Sequence, residues 1–132
     1  KMLVALISSQ ASGCRYCQSH MANLSSIYKA SDEKIAHLWE FESNALFSPA
    51  ERAALRVGMK AGQLPNECNA DDFTALKEHW DEGQIVEIVA SLGLFGYLNR
   101  WNDTMATQLE EYPVGVAERT LGGWGWEPGK HV

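Results

Sequence analysis

Gly13-Cys14-Arg15-Tyr16-Cys17-Gln18-Ser19-His20 is the stretch around which the chain is organised. An apolar run, Met2 to Ile7, leads into it, and a helix-forming run, Gln18 to Ala30, leads out. Two cysteines at i and i+3 can close a small disulfide with little backbone disturbance, which makes them a two-electron couple. At a helix start the thiols lie among unpaired N–H groups at the positive end of the dipole, and both features favour thiolate. Gly13 supplies the backbone freedom that a turn into a helix needs. From Cys17 a helical face runs through Met21, Leu24 and Tyr28, the spacing of a buried stripe. That face makes Cys17 the sheltered sulfur and Cys14 the more accessible one. His20, one turn after Cys17, is spaced to accept or return its proton.

The same residues have other uses. A Cys-x-x-Cys pair with a nearby histidine can hold zinc, with Cys68, His37 or His79 completing the set. Structural zinc sites usually carry a second tight pair, and this chain has no second Cys-x-x-Cys and no His-x-x-x-His. Two inert core cysteines are a further possibility, since buried free cysteine is common. Lys1, the apolar run and Ala11-Ser12-Gly13-Cys14 imitate a lipoprotein signal, but the run is short and is interrupted by Ser8, Ser9 and Gln10.

Elsewhere the pattern is helical throughout. Met2 to about Gln10 is a short apolar helix, and Cys17 to Ala30 a second. Ser31 caps a third, from Asp32 to about Phe41, with Ile35, Leu38 and Trp39 facing inward. Ser48 and Glu51 form a capping box with Pro49 at the first helical position, opening a fourth helix to about Ala61. Its small residues Ala53, Ala54, Val57 and Ala61 suit close packing, which predicts a central helix. Asn69 caps a fifth helix running to Trp80. Asp81 and Gln84 form a second box opening the longest apolar helix, in which Ile85, Ile88, Val89, Leu92 and Phe95 face the core. Gly93 and Gly96 each cost about 1 kcal/mol of helix propensity, so another backbone is expected to approach there. Arg100, in the polar cluster Asn99, Arg100, Asn102 and Asp103, is expected to ion-pair and tie helices or subunits together. Glu110-Glu111-Tyr112-Pro113 ends the periodicity, so residues 110–132 are expected as an extended tail whose Trp124 and Trp126 dock on the domain or on a neighbouring subunit.

With these residues in hand, the chain resembles the carboxymuconolactone decarboxylase-like family, in the branch of the AhpD alkylhydroperoxidases. Phe47 to Leu55 and Gln84 to Val89 resemble two further helices of that family, and Phe95-Gly96-Tyr97-Leu98-Asn99-Arg100-Trp101-Asn102-Asp103 its aromatic, asparagine- and arginine-bearing segment. The likeness covers about Met2 to Thr107. It implies an all-α, AhpD-like helical bundle and a homo-oligomer (dimer, trimer or hexamer). The implied activity is peroxidase-type, peroxiredoxin-like reduction of a small hydroperoxide by the thiol pair, reset by an external dithiol or protein reductant, with no cofactor. Residue by residue, the resemblance makes Cys17 the attacking thiol, Cys14 the resolving thiol and His20 part of a proton relay. Two departures stand out: His20 follows Cys17 by three positions where the family often has four, and the relay glutamate falls at Met2. Glu51 is the candidate replacement, although its place in a capping box gives it a structural role already. Alternatives to the peroxidase are a decarboxylase-type relative, a zinc-binding or other non-catalytic oligomeric module, and a redox sensor.

The 132 residues suit one domain spanning 1–132. A formal net charge of −6, spread along helix faces, argues against nucleic acid or an anionic membrane as partner. Three cysteines do not make a disulfide framework, so a cytoplasmic setting is expected. Lys1-Met2 opening straight into an apolar helix suggests that N-terminal residues are missing.

Overall fold

Helix α1 (Met2–Ser12) is buried along six consecutive residues, Val4 to Ser9. A helix apolar on every side has to be surrounded, and α1 is the central element, packed against α2 (Arg15–Ile27), α4 (Pro49–Gly62) and α6 (Glu82–Met105). The computed structural model describes all 132 residues and is all-helical. The remaining elements are α3 (Asp32–Ala36), α5 (Ala70–Lys77), α7 (Glu111–Leu121) and two short 3-10 turns, Leu38–Glu40 and Gly122–Trp124. No helix is long and apolar enough to cross a membrane.

The helix starts follow from their caps. Ser48 Oγ accepts from Glu51 N while Glu51 Oε2 accepts from Ser48 N. Asn69 with Asp72 and Asp81 with Gln84 repeat the arrangement at α5 and α6. Each box satisfies two backbone donors that a helix start leaves open.

The central place expected of α4 belongs to α1 instead, and α4 is its closest neighbour. The approach is made through Gly58 and Gly62, one turn apart. A Cβ on Gly58 would lie 3.0 Å from Ile7 Cγ2, and one on Gly62 only 2.5 Å from the carbonyl oxygen of Ser8. The small residues of α4 therefore serve contact, as the sequence suggests, but glycine matters more than alanine.

Several expectations need correction. The third helix breaks at His37, and Trp39 is exposed rather than inward. Tyr28 and Val89, expected on buried stripes, are also exposed. No atom lies within 4 Å of a Cβ built on Gly93 or Gly96, so within one chain no backbone approaches them. Residues 110–132 are not an extended tail. Glu111–Leu121 is a helix that buries Pro113, Val116, Ala117, Thr120 and Leu121. Pro113 obscured it, although a proline in the first turn removes no helical hydrogen bond. The tryptophans do dock on the domain: Trp126 is buried in the core, and Trp124 Nε1 donates to Ala36 O.

The α1–α4 contact makes a stability prediction. Gly62→Ala drives a methyl into the Ser8 carbonyl, and overpacking of this kind costs about 1–3 kcal/mol. Alanine returns little of that through propensity at a helix end. A lower urea midpoint at unchanged slope is the expected result in equilibrium unfolding.

Candidate functional site

The site begins with the turn between α1 and α2. Gly13 has φ +81°, in the left-handed region, and its N–H donates to Gln10 O at 3.2 Å. This reverses the chain and leaves Cys14, in extended conformation, as the N-cap of α2. Serine, threonine, aspartate or asparagine usually fills that position, each through a side-chain oxygen. Here the acceptor is sulfur: Cys14 Sγ receives the N–H of Cys17 at 3.3 Å.

The electrostatics of the pair are asymmetric. A hydrogen bond from the Cys17 thiol holds the Cys14 thiol below the ordinary thiol range, against the opposing effect of burial. Cys17 is pushed far above that range, first by this same bond to Cys14 and then by burial. Of the two thiols, Cys14 is thus the more acidic. The only side chain donating to Cys17 is Asn102, whose Nδ2 lies 3.8 Å from Sγ and also bonds Leu98 O at 3.0 Å.

Cys14 is 1% exposed and Cys17 3%. The expectation of an accessible Cys14 beside a sheltered Cys17 is thus not met, because both sulfurs are covered. Both are free thiols.

His20 lies on α2 one turn past Cys17, yet no hydrogen bond joins it to either sulfur. Its Nδ1 donates to Tyr16 O at 3.1 Å, its Nε2 faces Glu110 Oε2 at 3.0 Å, and its ring stacks on Tyr16 at 4.2 Å. Tyr16 O can only accept, so Nδ1 carries hydrogen and Nε2 is the ring nitrogen that faces the carboxylate. Burial and the Glu110 carboxylate both push the Tyr16 phenol up, keeping it protonated.

Glu51 is not part of this cluster. Its carboxylate bonds Lys34 Nζ at 2.6 Å and closes the α4 capping box, and these bonds hold it below the usual carboxylate range against the opposing effect of burial. The carboxylate beside the histidine is Glu110, which the sequence marks only as the end of a periodic stretch. Asp103, from the polar cluster that the sequence marks after Phe95, is a second carboxylate near the thiols. It lies near enough for its charge to raise both thiols, and is itself paired with Lys130 Nζ at 3.1 Å and near His131 Nε2 at 3.6 Å. Arg100 makes no ion pair between helices of the chain; it is exposed and edges a cleft of about 430 Å³ that Ser12, Asn99 and Asp103 also line. No group of three histidine, cysteine, aspartate or glutamate side chains converges as a metal ion requires. Cys68 instead donates to Val57 O at 3.5 Å, and His79 is exposed.

Comparison with known proteins supports a family assignment. Residues 1–58, which include the thiol pair and His20, match the model of the carboxymuconolactone decarboxylase family. The uncharacterized protein YdfG of Bacillus subtilis (strain 168) is 26% identical over 101 residues, covering 76% of this chain and 67% of that protein. The crystal structure of the debrominase Bmp8 in its apo form is similar at TM-score 0.84 and 31% identity over 90% of this chain. A cysteine-to-alanine variant of Bmp8 in complex with 2,3,4-tribromopyrrole is similar at TM-score 0.84 and 30% identity. This chain spans 64% of the Bmp8 chain in each case. The profile match over the thiol-bearing residues 1–58 and the helical architecture shared with Bmp8 make the chain similar to the carboxymuconolactone decarboxylase family.

Proposed function

We propose that the protein is a dithiol-dependent reductase in which Cys14 is the nucleophile and Cys17 the proton donor and resolving thiol. The observation that carries this reading is the N-cap geometry: Cys14 Sγ receives the backbone N–H of Cys17 at 3.3 Å, and the Cys14 thiol is held below its ordinary range while that of Cys17 is raised. The thiolate, not the thiol, is the nucleophile, so the roles are the reverse of those implied by resemblance.

With a hydroperoxide as substrate the steps balance as follows. Cys14 thiolate attacks the terminal oxygen, breaking the O–O bond and leaving Cys14 as a sulfenic acid with an alkoxide. The alkoxide takes the proton of Cys17 and departs as the alcohol. Cys17 thiolate then attacks Cys14 sulfur, forming the disulfide and expelling hydroxide, which takes a proton from the His20–Glu110 pair through solvent. An external dithiol returns two electrons and restores both thiols.

A second reading is favoured by the likeness to Bmp8. Attack of Cys14 thiolate on the bromine of a bromopyrrole gives a sulfenyl bromide and a pyrrole carbanion. The carbanion takes the Cys17 proton, and Cys17 thiolate displaces bromide as the disulfide forms. Both readings use the same two electrons and the same proton. Lactone decarboxylation has only the family description behind it.

Self-association fits the outer face of α6. Val86, Leu94, Tyr97, Trp101 and Met105 are each more than half exposed, with Gly93 and Gly96 open between them. Apolar faces of this extent mark interaction surfaces. We assign this one to contact between copies of the chain.

Three outcomes test the proposal. Cumene hydroperoxide and 2,3,4-tribromopyrrole, each supplied with dithiothreitol, separate the two substrates. Cys14→Ser and Cys17→Ser are expected to abolish turnover, and Glu110→Gln to lower it about a hundredfold, a typical general acid–base contribution. Full turnover by Cys14→Ser would reject the scheme. Alkylation of Cys14 by iodoacetamide should hold its rate below the ordinary thiol range and fall only as pH drops through the lowered value. In Cys17→Ala, which removes the donor, that fall is expected at higher pH. Trp101→Glu should lower the mass measured by sedimentation.

A further inference from the structure

The two sulfurs are almost completely covered, and the C-terminal segment lies on the two residues between them, Arg15 and Tyr16. We propose that Glu127–His131 is a movable roof over the thiol pair, which must lift before any substrate or reductant reaches Cys14. This rests on the thiol-reductase reading for its purpose, but not for its test.

The segment crosses the first turn of α2 at the two residues between the cysteines. Arg15 Nη1 donates to Glu127 O at 3.0 Å, and Gly129 lies over the Arg15 side chain. The His131 ring is tilted against Tyr16 with centroids 6.0 Å apart. On the far side the segment reaches the end of α6, beside the Asn102 that touches Cys17. Lys130 Nζ pairs with Asp103 there, His131 Nδ1 donates to Thr107 O at 2.9 Å, and His131 O accepts from Leu109 N at 2.9 Å. Tyr16 thus lies between two imidazoles, His20 within α2 and His131 brought by the roof.

The fastening is weak in kind. The Lys130–Asp103 pair is about half exposed on both sides, and such pairs contribute little. The Arg15 bond to Glu127 O is exposed and readily replaced by water. His131 is 1% exposed, and its Nε2, 3.6 Å from Asp103 Oδ1, makes no hydrogen bond, a cost that opening relieves. Gly125 and Gly129 both have positive φ, one before the segment and one within it, and glycine lets the chain be re-aimed there. Trp126, buried between them, anchors the near end. Segments held by few buried apolar contacts and by exposed polar bonds are the ones that open locally.

The test reads thiol accessibility directly. In the full chain carrying Cys68→Ala, the rate of Cys14 alkylation by iodoacetamide is compared between the parent, Lys130→Glu, and the double variant Lys130→Glu/His131→Ala. Lys130→Glu places a second negative charge near the sulfurs, which by electrostatics alone disfavours the thiolate and slows alkylation. Acceleration therefore reports exposure. The expected result is at least a threefold increase for Lys130→Glu and about tenfold for the double variant, with an unchanged far-ultraviolet circular dichroism spectrum. Rates within twofold of the parent in both variants, or slower, overturn the roof. Should the double variant lose its helical spectrum, the single variant decides alone, because it alters only an exposed pair. Faster alkylation without turnover of either candidate substrate would uphold the roof and count against the reductase.

Discussion

The backbone turn at Gly13 is the constraint on which the site depends. Without a residue at positive φ there, α1 could not end and hand the chain to α2 within two positions, and Cys14 would not fall at the N-cap. With it, the backbone N–H of Cys17 and its thiol converge on one sulfur. The reactivity of the pair is thus a consequence of helix capping. The orphan donors of a helix start need an acceptor, and the sequence offers a sulfur where most proteins offer an oxygen.

Burial of α1 supports this turn from the other side. Its consecutive core residues, held against α4 through Gly58 and Gly62, fix where α1 ends. The long α6 crosses the same helix and delivers Asn102 to Cys17, while Asn99 Oδ1 accepts from the buried Ser9 hydroxyl at 2.9 Å. Core and site therefore share helices. The packing that stabilises the bundle also sets the sulfur environment.

Much of this was legible in the sequence because it is local. Cap boxes at Ser48, Asn69 and Asp81, the turn at Gly13 and the placement of the thiols at a helix start all follow from residues a few positions apart. What was not legible depends on distant partners. Glu110 meets His20 only after α7 has folded back on α2, and Asp103 meets Lys130 only once the final segment has crossed α2. The exposure of Cys14 was misjudged for the same reason: the helical stripe from Cys17 describes which sulfur faces the core, but both are covered in the folded chain. Glu51 is the opposite case, a carboxylate whose local use as a cap was legible and is met, and which lies outside the thiol cluster.

The Arg15–Glu127 contact joins positions 112 residues apart. Closing so long a span costs chain entropy, and the bond that closes it is exposed. Were this final segment the first to loosen under heat or mild denaturant, the sulfurs would be bared while the α1-centred core still stood.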